Sequence, residues 1–290
     1  MDNAVAVPLW RKIWQFPLVA MIVALALVIA TMTGISWALS GLKTPANPEL
    51  ASTVKSIAAV LAVFALYKLV LRRLGSRKHD DLPLAPALKQ WGAGVGLGFG
   101  IMTVVVGIAA LAGVYHIDGW GGGEDAVMVL VSAGLVAGFI EEVLFRGILF
   151  RWIEEMLGSW AALAITSLLF GMAHFGNDSA TLFSSVAIAL EAGILLGAAY
   201  MLTRSLWLAV GVHMGWNVTQ GLIFDVPVSG HPVRGLVEAR LTGHELLSGG
   251  AFGLEASIIG LVIATGAGLW LLRKAIRLGR VMPPMWLRKG

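Results

Sequence analysis

Long apolar runs, separated by short polar or glycine-rich stretches, dominate the pattern of this chain. A helix crosses the hydrocarbon core of a bilayer with about 20 apolar residues. That ruler marks eight segments, approximately 17–39, 51–71, 91–115, 126–150, 160–175, 181–203, 206–223 and 251–272. The fifth, ending near Phe175, is short enough to be tucked inside a bundle. The first follows Arg11 and Lys12, but its apolar stretch is too long for a signal-peptide core and no small-x-small cleavage site follows, so it reads as an anchor. The expected fold is all-α: a polytopic transmembrane bundle of about eight spans. It forms a single integral-membrane domain over residues 1–290, with no internal repeat. The many Gly, Ala and Ser residues inside the spans suit close helix packing in lipid.

Composition agrees. The 290 residues are 58% hydrophobic and 13% charged, with a mean hydropathy of +0.83, whereas soluble chains carry about 25% charged residues. A cytosolic enzyme, a disordered regulator and a disulfide-stapled secreted domain are excluded. With no cysteine, thiolate metal sites and cysteine nucleophiles are excluded too. The net charge of +4 is read as a topology signal, with no nucleic-acid partner. With eight spans, 17 of the 21 Lys and Arg fall on one side, including Arg72, Arg73, Arg77, Lys78, Arg151, Arg204 and the basic tail; Lys43, Lys55, Arg234 and Arg240 fall on the other. Both termini are therefore expected in the cytoplasm, and the short loops suggest a bacterial inner membrane. On the outer side, 116–125 (HIDGWGGGED) reads as a mobile acidic loop, and 224–250 as a longer segment with an interfacial stretch.

Ionisable groups inside spans are costly and mark functional sites by default. Here they are Glu141, Glu142 and Arg146 in the fourth span, His174 at the end of the fifth, Glu191 in the sixth, and His213 in the seventh with Asn217 one turn on. With a tight turn at Gly158, Glu142 and His174 each lie 16 residues from it, about 24 Å along antiparallel helices. His213 lies nine residues past Arg204 and Glu142 nine before Arg151, about 13 Å in each case. Glu, His and His-plus-Asn thus meet at one level, expected to open to the cytoplasmic half of the bilayer. Glu142 and Arg146 are i,i+4 neighbours and read as a structural pair. Glu141 points about 100° away and is the free carboxylate. Glu191 either faces the site or satisfies a neighbouring helix. His79, His116, His231 and His244 read as solvated loop imidazoles.

The segments EEVLFRG (141–147), FGMAH (170–174) and HMGWN (213–217) resemble the EExxxR, FxxxH and HxxxN/D motifs of the CPBP family. These intramembrane proteases include the type II CAAX prenyl endopeptidases and the bacteriocin-processing or Abi proteins. The resemblance covers roughly 125–225, the expected catalytic core. It implies a hydrolase in which Glu141 activates the attacking water, His174 assists, and His213 and Asn217 stabilise the tetrahedral oxyanion. A carboxylate base and fixed oxyanion donors are sound chemistry in a low-dielectric site. Two imidazoles and a carboxylate are also a zinc-like donor set. A divalent metal such as zinc on Glu141, His174 and His213 therefore stays open, although no HExxH occurs and His244-Glu245 is followed by serine at 248. The implied substrate is a peptide or a membrane protein, with a prenylated CAAX end as one form.

Two other functions fit parts of the pattern. A non-catalytic scaffold or immunity protein could keep the fold, since motif retention is not activity. A proton-coupled transporter would also hold Glu and His in spans, but repeats and Pro-broken helices in matching halves are missing.

Overall fold

The computed structural model describes residues 8–42 and 48–288. Lys43 and Lys289, counted above in the charge asymmetry, lie outside them. The helices are α1 (Leu9–Gln15), α2 (Pro17–Ala38), α3 (Pro48–Leu69), α4 (Ala87–Leu111), α5 (Ala126–Met128), α6 (Arg151–Ala173), α7 (Leu182–Ile188), α8 (Ile194–Thr203), α9 (Leu206–Val218), α10 (Glu245–Ser248) and α11 (Ile258–Arg277). Wide π-type turns continue α5 through Val129–Glu141 and Val143–Phe150, join α7 to α8 through Ala189–Gly193, and extend α9 through Thr219–Ile223.

Six helical stretches are long and apolar enough to cross a membrane: Pro17–Ala38, Glu49–Arg73, Ala87–Leu111, Ala126–Gly176, Leu182–Thr203 and Ile258–Arg277. The chain is a multi-pass integral membrane protein. The fourth and fifth expected spans lie together in the 51-residue stretch Ala126–Gly176, which folds back at Gly158. There φ is 82°, and a Cβ would sit 2.9 Å from the Met282 carbonyl oxygen, so the turn admits glycine alone without strain. The seventh expected span, 206–223, is helical, but His213, Asn217, Thr219 and Gln220 leave it more polar than the six. The last helix starts at 258, seven residues later than expected. Gly249, Gly250 and Gly253 all adopt positive φ, and Ser257 caps the helix by accepting from the Gly260 amide at 3.0 Å.

The acidic segment expected to be a mobile loop is partly a strand. β1 (Tyr115–Trp120) pairs antiparallel with β2 (Val237–Leu241), Tyr115 opposite Leu241 and Trp120 opposite Val237. Its partner lies more than a hundred residues away, and a segment ending in Gly119, Trp120 and Gly121 carries no alternation of its own. Asp225 secures the far strand, accepting from the amides of Gly235 at 2.6 Å and Ala239 at 2.9 Å. His244 is an N-cap: its Nδ1 accepts from the Leu246 amide at 3.2 Å.

Helix α9 is set in place by small residues. Gly94 and Gly98 of α4 face the Leu208 and Val212 carbonyls, and Gly211 and Gly215 of α9 face those of Trp91 and Val95; a Cβ at any of the four would collide with backbone. Two backbones approach this closely only where both helices lack side chains. Gly98→Ala is therefore expected to destabilise the bundle by about 1–3 kcal/mol or more, as forced overpacking does. Gly96→Ala, which meets nothing within 4 Å, gains about 0.5–1 kcal/mol of helix propensity. Unfolding midpoints in detergent check the pair, and equal midpoints would sink the packing argument.

Candidate active site

The site is built from the 126–150 helix, the end of α6, and α9. Arg146 is fully buried and donates from Nη1 to Glu142 Oε1 at 2.8 Å, the i,i+4 pair. Its other nitrogen reaches the carbonyls of Ala192 at 3.2 Å and Gly193 at 3.4 Å, in the wide turn between α7 and α8, where π geometry displaces carbonyls from their usual partners. The guanidinium also lies over the Phe170 ring, 4.7 Å from its centroid. Phe170 in turn packs edge-on against Phe145, with centroids 4.9 Å apart, and meets the His174 ring at a tilt, with centroids 4.7 Å apart. The phenylalanine of FGMAH is thus the spacer between arginine and histidine.

Glu142 has a second partner that its helix alone does not reveal: His213 Nδ1, 3.1 Å from Oε1. His174 Nδ1 lies 2.8 Å from the Phe170 carbonyl oxygen. Both nitrogens face acceptors, so each carries its hydrogen and leaves Nε2 free. Asn217 is buried and donates from Nδ2 to the Ala133 carbonyl at 2.8 Å. That bond orients its amide and leaves one N–H and the amide oxygen for other partners. Glu141 is half-buried, makes no side-chain hydrogen bond among the described residues, and holds Oε2 buried without a partner.

All four expected catalytic residues, Glu141, His174, His213 and Asn217, line one cavity of about 300 Å³. Its remaining wall comes from Met128 and Ser132 at the start of the helix, Asn177, and the loop residues Val228, Ser229 and His231. These belong to the end of the bundle that carries β1 and β2. The expected opening toward the basic end is therefore not what the lining shows. His174 sits at the carboxyl end of α6, 16 residues from the Gly158 turn, and the loop residues that line the cavity with it come from the 225–233 segment. His231, read as a solvated imidazole, lines this cavity.

The donor set does not fit a resident metal. Among the described residues no group of three or more His, Asp or Glu side chains is placed to hold a metal ion. Glu141, His174 and His213 share a cavity without forming such a group.

Glu191, whose role the spacing left open, and Glu255, which carries no motif, face a second cavity of about 30 Å³ that also touches His174, His213 and Asn217. That is room for a water or two. Glu191 is 1% exposed, with Oε2 lacking a partner. Glu255 accepts from the Ser229 amide and, at 3.4 Å, from Trp216 Nε1, so it ties the 225–231 loop to α9. No local pattern could have flagged Glu255, because both partners lie 26 or more residues away.

Burial pushes the Glu255 carboxyl up to about 7, against the pull of the Ser229 and Trp216 hydrogen bonds and of His213. An acid whose folded pKa is raised contributes stability that is present below the ordinary carboxylate range and lost as pH rises through about 7. The unfolding midpoint is expected to fall between pH 5 and 8, and Glu255→Gln to flatten that fall. Parallel curves for the two proteins would refute the assignment.

Residues 123–219 match the family model described as "Type II CAAX prenyl endopeptidase Rce1-like". Over 126 residues, 43% of this chain, the sequence is 28% identical to the Bacillus subtilis (strain 168) protein named "Putative membrane peptidase YdiL". The match spans 47% of that relative, so the chain covers about half the length of the curated protein it matches. No solved structure matches. The matched segment contains all three motifs and every side chain of the Glu142–Arg146–Phe170–His174–His213 cluster. Residues 123–219 are thus similar to the Rce1-like type II CAAX prenyl endopeptidases.

Proposed function

We propose that the chain is an intramembrane endopeptidase, with 125–225 as the catalytic core of a single membrane domain and a bacterial inner membrane as its location. One observation carries this reading above the others: an unpartnered carboxylate, Glu141, and the free Nε2 edges of two imidazoles oriented through Nδ1 share a cavity large enough for a peptide segment. Glu141 takes a proton from a water as that water attacks the scissile carbonyl carbon. His174 assists by holding or relaying that proton, and the leaving amine is protonated as the C–N bond breaks. Oxyanion stabilisation falls to His213 Nε2 and to the Asn217 amide hydrogen not used on Ala133. The His213 ring gives that hydrogen bond only as the imidazolium, for which the Glu142 carboxylate at Nδ1 is the counter-ion. Donors fixed before reaction are worth most where water is excluded.

The substrate is a peptide within or at the membrane, and a prenylated carboxyl-terminal peptide is one candidate. The test works with the substrate still unidentified. Membranes carrying wild type or Glu141→Gln at matched levels are compared for new peptide termini by mass spectrometry. Termini found with wild type alone establish the peptidase and disclose its cleavage sequence. Identical termini from two folded proteins would defeat the proposal and favour a scaffold.

A further inference from the structure

At the other end of α6 the chain builds a second, larger cavity of about 640 Å³, between the α3–α4 connection, the turn at Gly158, the turn at Arg204 and the segment following α11. Six Lys and Arg side chains line it against two glutamates. Arg204 is neutralised by Glu154 at 2.5 Å, and buried Arg151 by Asp81 at 3.3 Å beneath the floor. Arg77, Lys78 and Arg280 have no ion pair within 4.0 Å among the described residues. Arg288 is held by the carbonyls of Pro283, Glu154 and Glu155, and the Glu155 carboxylate offsets part of the charge of Arg77 and Arg288. Arg77 Nη1 faces the Met282 sulfur, a weak acceptor, and Arg151 Nε is buried without a partner.

The walls are firmly held. Asp81, fully buried, gathers the hydroxyls of Tyr67 and Tyr200 (the latter at 2.7 Å) together with Arg151. Arg151 Nη2 fixes the Arg77 carbonyl at 2.9 Å. The tail straps the Gly158 turn through Met282 N to Ser159 Oγ at 2.7 Å and Ser159 N to the Met282 carbonyl at 2.9 Å.

Unpaired cations converging on a preformed cavity draw in an anion, and arginine forks suit phosphate oxygens. We propose that this basic cavity binds a phosphate group, supplied by the headgroup of an acidic membrane lipid. Val281, Met282 and Pro283 form an apolar wall beside the cations, which a glyceride portion would cover and free phosphate would leave bare. Basic pockets between spanning helices at the membrane surface take anionic headgroups in this way. The site is independent of the peptidase reading.

The full chain in neutral detergent is titrated with phosphatidylglycerol or phosphatidylcholine and bound lipid is counted by native mass spectrometry; inorganic phosphate is the competitor. Phosphatidylglycerol is expected to bind preferentially, and Lys78→Gln with Arg280→Gln to weaken it about 25-fold, each basic side chain contributing roughly fivefold. Arg77→Gln alone serves if the double variant does not fold. Displacement by millimolar phosphate, with stabilisation by phosphate alone, would assign the anion site to a soluble source and overturn the lipid. Equal binding of the two lipids, or unchanged phosphatidylglycerol binding by the folded variants, would overturn the site.

Discussion

Glu141→Gln is expected to lower peptide-bond hydrolysis by about 10²–10⁴-fold, the usual contribution of a positioned general base, while leaving the protein folded. The two halves of that expectation rest on the same observation. Glu141 makes no side-chain hydrogen bond among the described residues, and one of its oxygens is buried with nothing to accept from. Replacing the carboxylate by an isosteric amide therefore costs the bundle little, within roughly 0.5 kcal/mol. Glu141 lines the cavity with its carboxylate unbonded, the position that the proposed base requires. Hydrolysis by purified wild type and variant, on the peptide recovered from the termini comparison, is the measurement. Residual activity within tenfold of wild type would remove Glu141 from the role of base. A large loss of stability would make it a structural residue.

Glu142→Ala is expected to act in the opposite way, with its first effect on stability. The side chain is fully buried, and its one paired oxygen serves Arg146 at 2.8 Å and His213 at 3.1 Å. Removing it strands a guanidinium in the core. Breaking one half of a buried ion pair costs about 3–5 kcal/mol. The unfolding midpoint should fall steeply, and Glu142→Leu with Arg146→Met should recover a large part, because both charges then leave together. The double variant still lacks the acceptor that orients His213, so hydrolysis stays low although stability returns. A double variant no more stable than the single one would refute the pairing account. A double variant of wild-type activity would show that His213 does not need Glu142.

These two neighbours show how far the sequence reads. The apolar runs predict a helical membrane bundle, and the i,i+4 spacing predicts that Glu142 and Arg146 pair and that Glu141 points elsewhere, because helix geometry depends on residues a few positions apart. The same arithmetic places residues along their own helices but says nothing of what covers them. The cavity is completed by Val228, Ser229 and His231, from a segment that no helix count positions. Strand β1 escapes for a related reason, since Gly119 and Gly121 give it no alternation and its stability comes from Val237–Leu241.

What the sequence by itself determined is therefore local and periodic: helices long enough for a bilayer, the glycine turn at 158, and three motifs on three segments. What only the tertiary structure decided is every partnership between distant residues. Glu142 under His213, Arg146 on the carbonyls of Ala192 and Gly193, Glu255 holding Ser229, and Asp81 gathering Tyr67, Tyr200 and Arg151 all join residues far apart in the chain, from 14 positions for Tyr67 to 119 for Tyr200. Burial leaves polar groups to find whatever donors and acceptors the packing brings near, and packing depends on the glycine faces of α4 and α9 meeting backbone to backbone. The i,i+4 glycines at 94 and 98 and at 211 and 215 mark each face for close packing, but not which two faces meet.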